Sequence, residues 1–185
     1  MINLIAAITY YPKEDQFIIA ANGKLPHNSP EDMARFQKLT TGGVVIMGRK
    51  TFFTLDGALP DRTNIILSRS PMFHLSKAYV ARDLEEALEI ASKYSSDIWI
   101  IGGGQVYKEA LEKDIPDRLY ISEMRGHWQD DPVSTEITST AVLFPTEAPV
   151  VTFPRVNWQY YKALYIENFE DHFLKILSKN SLDVL

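Results

Sequence analysis

Residues 98–107 read IWIIGGGQVY, a short apolar run that passes through three glycines into a helical pattern. A short apolar run without polar alternation is typical of a strand that is buried on both faces of a sheet. Glycines at the end of such a strand leave several backbone N–H groups able to face a phosphate. The glycine spacing differs from G-x-G-x-x-G, so it does not support an orthodox Rossmann site.

The same alternation of strand and helix extends in both directions from this stretch. Strands are predicted at residues 2–8, 44–47, 64–67, 78–81, 98–101 and 119–122, and helices after Ser29, from 83 to 94 and from 105 to 111. Buried strands separated by helices predict a mainly parallel sheet that is covered on both faces. Residues 158–167 and 171–177 flank a short polar turn with no crossover helix, which predicts an antiparallel hairpin at the sheet edge.

We therefore predict a single-domain α/β fold: a mainly parallel central β-sheet flanked by helices, with a C-terminal antiparallel hairpin. The domain is expected to span residues 1–178, followed by a tail at 179–185. Residues 126–143 are expected to form a long polar loop and not a second domain.

The composition excludes several classes of site. The chain of 185 residues contains no cysteine, which rules out disulfides, Cys-ligated zinc and a thiol nucleophile. Its four histidines lack metal-ligand spacing, so no metal is expected, and His74, His127 and His172 are expected on the surface or in loops. The net charge of −5 argues against nucleic acid or an anionic membrane as a partner. The first residues lack the pattern of a signal peptide, and a cytoplasmic monomer is expected.

Two further strand ends carry groups that suit phosphate. One is Gly48-Arg49-Lys50-Thr51, where a glycine is followed by two cations and a hydroxyl at a predicted helix N-terminus. The other is Leu67-Ser68-Arg69. Because ligands of an open parallel sheet bind beyond the carboxyl ends of its strands, three such ends in one sheet predict a phosphate-containing ligand.

Asp32 has two interpretations. It follows Ser29 by three residues, the capping-box pattern, and on local pattern alone a helix cap is favoured. The alternative is a carboxylate on an otherwise apolar helix face, where it would accept paired, charge-assisted hydrogen bonds from an amidine-like ligand edge.

These segments resemble the dihydrofolate reductase family in their order and spacing. Residues 19–27 with Pro30, Asp32, Phe36 and Thr40 resemble the family's active-site loop and first helix. Residues 45–51 and 59–69 resemble its cofactor-phosphate segments, and 101–107 its glycine segment. The resemblance covers residues 1–122 and resumes at Phe144-Pro145 and the closing hairpin.

The resemblance implies NADPH-dependent reduction of dihydrofolate to tetrahydrofolate, by hydride transfer to a pterin whose protonation Asp32 promotes. It implies that the substrate contacts Ile5, Ala6, Met33, Phe36, Leu55, Leu59, Arg62, Ile101, Tyr107 and Ser122, with Arg62 on the glutamate tail. For the cofactor it implies Ala7, Ile19, Asn22, Gly23, Lys24, Leu25, Gly48, Arg49, Lys50, Thr51, Leu67, Ser68, Arg69, Gly102, Gly103, Gly104, Gln105 and Val106. Arg49 and Arg69 would hold the 2′-phosphate.

The chain also departs from the family. His27 stands where the family has tryptophan, and either fills space or alters the pH dependence of turnover. Ala20 replaces a glycine, and the family's Gly-Asp-Thr-x-Phe-Pro element is not recognisable before Phe144. Two alternatives stay open: a reductase of the same fold acting on another heteroaromatic, such as the pyrimidine of riboflavin synthesis, or a non-catalytic nucleotide-binding relative.

Overall fold

The computed structural model describes residues 1–21, 24–55, 57–70, 75–127 and 150–180. The strands are β1 (Ile2–Tyr11), β2 (Gln16–Ala21), β3 (Val44–Gly48), β4 (Thr63–Leu67), β5 (Tyr79–Ala81), β6 (Ile98–Ile100), β7 (Arg118–His127), β8 (Val150–Thr152), β9 (Tyr161–Asn168) and β10 (His172–Lys179). The α-helices are α1 (Pro30–Thr40), α2 (Arg49–Thr54), α3 (Leu84–Ser92) and α4 (Gly104–Glu112). Short 3-10 helices occur at Pro12–Glu14 and Trp158–Tyr160.

The strands form one sheet in the order β5-β4-β3-β6-β1-β7-β10-β9. The six strands from β5 to β7 in this order run parallel to one another. β10 pairs antiparallel with β7, and β9 pairs antiparallel with β10. The predicted mainly parallel sheet with a closing antiparallel hairpin is confirmed. β2 pairs with β1, and β8 pairs with β2, both antiparallel.

Both faces of the sheet are apolar because successive side chains of a strand point to opposite sides. Leu4, Ile46 and Ile100 lie in the cluster that α3 and α4 cover. Their chain neighbours Ile5, Met47 and Ile101 lie in the second cluster, which Phe36 of α1 and Phe52 of α2 join. The helices on both faces explain why the strands read as unbroken apolar runs.

The structure corrects the prediction around residue 126. β7 runs ten residues, through Gly126 to His127, so the expected polar loop does not begin at 126. Residues 128–149 lie outside the described residues. β8 was not predicted, because its three residues offer no periodicity that could separate a strand from a loop.

β10 ends at Lys179, one residue past the predicted domain boundary, and Asn180 donates its N–H to the Tyr160 carbonyl at 2.8 Å. The position of the boundary itself stays a prediction. None of the helices in the described ranges is long and apolar enough to cross a membrane.

Candidate active site

The predicted site residues converge because parallel strands end at a common edge. Gly48 at the end of β3 pairs with Leu67 at the end of β4, and Ile46 pairs with Ile100 of β6. Directly beyond this edge the chain enters α2 after β3, and α4 after β6. The three strand ends selected from the sequence are therefore neighbours.

The glycine turn touches the turn beside it. The Gly48 N–H donates to the Gly102 carbonyl at 2.7 Å, and the Gly102–Gly103 peptide is cis. A Cβ on Gly103 would lie 3.1 Å from the Thr51 Oγ1, and one on Gly48 would lie 3.3 Å from Val106 Cγ2. The absence of Cβ atoms therefore allows the first turns of α2 and α4 to approach closely, which is the arrangement a phosphate cradle requires.

The polar groups around these turns suit an anion. Arg49, Lys50 and Arg69 are exposed, while Thr51 is half-buried at the start of α2. Ser68 is buried, and its hydroxyl accepts the Ser70 N–H at 3.3 Å, so this hydroxyl also shapes the turn after β4. Leu67 is half-buried at the end of β4, and Gln105 is exposed in the first turn of α4.

The helix cap predicted at Ser29 is present, while ligand binding by the Asp32 carboxylate stays a prediction. The Ser29 side chain caps α1 by accepting the Asp32 N–H at 3.2 Å, with Pro30 in the first turn as predicted. The Asp32 carboxylate does something else: its Oδ1 accepts the Ser122 hydroxyl from β7 at 2.5 Å and lies 3.1 Å from Arg35 Nη1. Its side chain is 16% exposed. The backbone of Asp32 thus serves the cap, and its carboxylate faces the sheet.

Five of the predicted pocket residues belong to a single apolar cluster on the α1 side of the sheet. They are Ile5, Phe36, Leu55, Leu59 and Ile101. Met33 is 42% exposed on α1. Ala6 points to the opposite face and lies in the other cluster, whereas Ala7 is paired in register with Ser122. The structure thus places five of the predicted walls together on the face that α1 covers, and it places Ala6 on the other face.

Tyr107 ties α4 to the central strand. Its hydroxyl donates to the Ile5 carbonyl at 2.7 Å, and its ring lies 5.5 Å from that of Phe153. Burial raises the pKa of the Tyr107 phenol far above its ordinary value. Tyr107 therefore stays protonated and acts as a fixed donor that holds β1 beside the glycine turn.

Arg62 lies at the rim of the apolar cluster, where its guanidinium is already oriented. Its Nε donates to the Pro60 carbonyl at 2.8 Å and its Nη1 to the Thr40 hydroxyl at 2.9 Å. Its Cζ is 6.0 Å from the centre of the Phe36 ring. Burial lowers the pKa of Arg62, and Asp61 opposes this effect.

The cofactor-binding residues predicted in β2 and in the segment after it are only partly described. Asn22 and Gly23 lie outside the described residues. Lys24 and Ala21 exchange two backbone hydrogen bonds at 2.9 Å each, and Leu25 is 50% exposed. Ile19 is buried on β2, and its Cδ1 would be 3.9 Å from a Cβ on Gly104. Ile19 therefore lies next to the glycine turn.

The sequence analysis missed a group of polar residues behind Asp32. His172 was expected on the surface, but it is fully buried in β10, and its Nε2 lies 2.8 Å from Arg35 Nη1. Its Nδ1 lies 2.5 Å from Asp171 Oδ1. The Asp32/Arg35 spacing on a helix was a local signal for part of this group, whereas nothing near His172 in sequence marked it. His74 and the His127 side chain are not among the described parts.

His27 lies near the same group. It is half-buried, and burial lowers its pKa, while the nearby Asp171 opposes the change. Within the ranges that the structure describes, no cluster of three or more His, Asp or Glu side chains is arranged to hold a metal ion.

Comparison with known proteins gives a consistent family. A family model described as dihydrofolate reductase matches residues 1–142. Dihydrofolate reductase type 3 of Salmonella typhimurium is 36% identical over 131 residues, covering 71% of this chain and 76% of that protein. Dihydrofolate reductase of Haemophilus influenzae is 31% identical over 150 residues, covering 81% of this chain and 79% of that protein.

The fold has a close structural counterpart as well. Dihydrofolate reductase from Enterococcus faecalis, solved as a complex with NADP(H) and RAB-propyl, superposes with a TM-score of 0.73 at 24% identity. The match covers 97% of this chain and 96% of that one, and it supports the fold. The family model and the sequence relatives lead to one conclusion: the chain belongs to the dihydrofolate reductase family.

Proposed function

We propose that the protein catalyses the NADPH-dependent reduction of dihydrofolate to tetrahydrofolate, with Asp32 as its catalytic carboxylate. The observation that carries the proposal is the position of Asp32, which is 16% exposed, hydrogen-bonded to Ser122, and on the helix that contributes Phe36 to the apolar cluster. The Asp32 carboxylate can accept two parallel hydrogen bonds from the ring nitrogen and amino group of a pterin.

Asp32 then favours a positive charge on the bound ring. Transfer of hydride to an imine carbon is easier when the imine nitrogen is protonated, and a carboxylate in an apolar setting stabilises that cation. Ile5, Phe36 and Ile101 exclude water from the ring on the same side of the sheet. We expect the proton itself to come from water. The oriented guanidinium of Arg62 at the rim is proposed to bind the carboxylate of the substrate tail.

NADPH supplies the hydride when it is bound. The close approach of Gly103 to Thr51 and the hydrogen bond from Gly48 to Gly102 make a backbone cradle, in which a Cβ on Gly103 would crowd the Thr51 hydroxyl. Thr51 and Ser68 bring hydroxyls to this edge, and Arg49, Lys50 and Arg69 bring cations in a chain whose net charge is −5. This donor set fits the phosphates of a dinucleotide, and exposed arginines fit its 2′-phosphate.

The family assignment favours this function over the two alternatives, a same-fold reductase of another heteroaromatic and a non-catalytic relative. We further propose a cytoplasmic monomer with a small-molecule substrate and no nucleic-acid or membrane partner. The lack of cysteine supports the cytoplasmic location, and the net negative charge supports the absence of a nucleic-acid or anionic-membrane partner.

The test is NADPH oxidation in the presence of dihydrofolate by the wild type and by Asp32→Asn, which keeps the size of the side chain but removes its charge. We expect turnover in the wild type and a loss of about 10²–10⁴-fold in the variant, the usual size of general-acid assistance. Glu31→Gln is the matched control, because it removes a carboxylate from the same helical turn at an exposed position. An inactive wild type, or equal loss in both variants, would refute the proposal.

A further inference from the structure

Arg35 lies one helical turn after Asp32 and shares the same carboxylate oxygen with Ser122. Its Nη1 is 3.1 Å from Asp32 Oδ1, and the side chains of Asp32 and Arg35 are each 16% exposed. A pair that is this well covered is screened by solvent far less than a surface ion pair. The positive charge of Arg35 therefore acts directly on the carboxylate that faces the pocket.

The other contact of Arg35 fixes the protonation pattern of His172. A guanidinium only donates hydrogen bonds, so Nε2 of His172, 2.8 Å from Arg35 Nη1, must be the acceptor. The ring proton is then on Nδ1, which donates to Asp171 Oδ1 at 2.5 Å. His172 thus holds Arg35 as a neutral ring, oriented by Asp171.

Aromatic packing restrains the same guanidinium. The Phe169 ring stacks on His172 with 4.6 Å between centroids and 7° between planes. Arg35 Cζ lies 4.3 Å from the centre of the Phe169 ring, a cation–π distance. Because His172 is fully buried, these contacts hold Arg35 from the β9–β10 hairpin side.

Asp171 and Ser29 connect His172 to the start of α1. The pKa of Asp171 is lowered, first by a hydrogen bond from the Ser29 side chain and also by His172, against an opposing effect of burial. Ser29 in turn caps α1 through the Asp32 N–H. A closed network of contacts therefore joins α1 to β10. Its members are Asp32, Arg35, His172, Asp171 and Ser29, and we call it the Arg35 network.

Other elements also bring charged or titratable groups close to the Arg35 network. Tyr165 of β9 is close enough for Arg35 to oppose the rise in its pKa, which a hydrogen bond with Glu167 mainly causes. His27, in the segment before α1, is influenced by Asp171. Among the described residues, three such groups act on Asp32 or Arg35 directly: Ser122 on β7, His172 on β10 and Tyr165 on β9. Asp171, Glu167 and His27 lie further out, where Asp171 interacts with His172 and His27, and Glu167 with Tyr165.

We infer that Arg35 is a positioning residue for the proposed reduction: it orients the Asp32 carboxylate and limits how strongly that carboxylate holds a proton on the bound pterin. The inference rests on the proposed function. A proton on the pterin–Asp32 pair adds a second positive charge close to a fixed cation, which Coulomb repulsion disfavours. The bound pterin therefore releases its proton at a lower pH than it would if Asp32 had no cation beside it.

The experiment is the pH dependence of turnover with saturating dihydrofolate and NADPH, in wild type and Arg35→Met. We expect the pH at which turnover is half its maximum to rise by about one unit in the variant, the usual effect of removing one close charge. Arg35→Lys keeps the charge and should stay near the wild type. Arg35→Gln is a second neutral variant, for use if Arg35→Met does not fold.

Arg125→Met is the matched control. Arg125 also lies over a ring of the hairpin, with its Cζ 4.2 Å from the centre of Phe173, and it donates to the Phe169 carbonyl at 3.1 Å. Its removal disturbs the same hairpin without affecting a contact of Asp32. The pH at which turnover is half its maximum should therefore be the same in Arg125→Met as in the wild type. An equal shift in Arg125→Met, or a lysine variant that shifts like methionine, would count against a specific charge effect.

A measurement without cofactor separates this inference from the proposed function. A protonatable diaminopyrimidine presents the same amidine edge to Asp32, and its binding can be followed by tryptophan fluorescence across the same pH range. Tighter binding to Arg35→Met, extending to higher pH, supports the inference. If the wild type reduces dihydrofolate and Asp32→Asn does not, while Arg35→Met matches the wild type in both assays, the inference fails and the function stands.

Discussion

Ser122 connects the Asp32 carboxylate to the central sheet. Its hydroxyl donates to Asp32 Oδ1 at 2.5 Å, and the residue is 4% exposed on β7. A hydrogen bond to a charged group contributes about 1.5–3 kcal/mol. Ser122 therefore holds the orientation of the carboxylate, a task that does not depend on the charge of Arg35.

Replacing Ser122 by alanine is predicted to lower kcat/KM for dihydrofolate by about tenfold or more, since each 1.4 kcal/mol corresponds to roughly a factor of ten. Steady-state kinetics at one pH measures the effect. Ser122→Thr retains the hydroxyl and should keep most of the activity. Equal rates for alanine and wild type would show that Ser122 does not hold Asp32 during the reaction.

At the level of elements, the glycine turn and β8 depend on each other. A Cβ on Gly104 would lie 2.8 Å from the Thr152 carbonyl oxygen and 3.0 Å from Val151 Cγ1, both on β8. The backbone carbonyl cannot rotate away as a side chain can. The start of α4 therefore requires glycine at residue 104 because β8 packs directly against it.

Gly104→Ala is predicted to destabilise the fold by about 1–3 kcal/mol through overpacking. Urea unfolding gives the free energy. Gly103→Ala is the graded control, because its Cβ would meet the Thr51 hydroxyl at 3.1 Å, the end of a side chain that can move. A larger loss in Gly103→Ala than in Gly104→Ala would show that β8 does not impose the restriction.

For the molecule as a whole, His27 makes stability depend on pH. Burial lowers its pKa below the ordinary 6.5, so the unfolded chain binds this proton more readily than the folded chain does. Its contribution to stability is complete above pH 6.5 and is lost as the pH falls through the lower pKa of the folded state.

His27→Gln is predicted to reduce the fall in unfolding free energy between about pH 7.5 and about pH 5. Parallel unfolding curves at several pH values measure it. An identical slope in both proteins would mean that His27 is not protonated differently on folding. The effect of His27→Trp on the pH–rate profile stays a separate prediction, and superimposable curves would exclude a role in turnover.

Local patterns in the sequence predicted most of the fold. The apolar runs of β3, β4 and β6 and the Ser29-Pro30 start of α1 were predicted because each depends on a few adjacent residues. The three strand ends with glycines, hydroxyls and cations followed from the same patterns, since parallel strands must end at one edge. β8 was missed because its place depends on packing against β2 and α4 and not on its own three residues.

For Asp32, too, one part of its role follows from local sequence and the other part from the tertiary structure. The sequence by itself determined that Ser29 caps the helix and that an acid stands beside apolar residues, because both facts depend on helical spacing. Only the tertiary structure decided where the carboxylate goes, since its partner Ser122 is 90 positions away, and His172, which holds Arg35, is 137 positions from that arginine. Contacts at such separations depend on sheet order, which brings β7 and β10 under α1, and no local pattern encodes it.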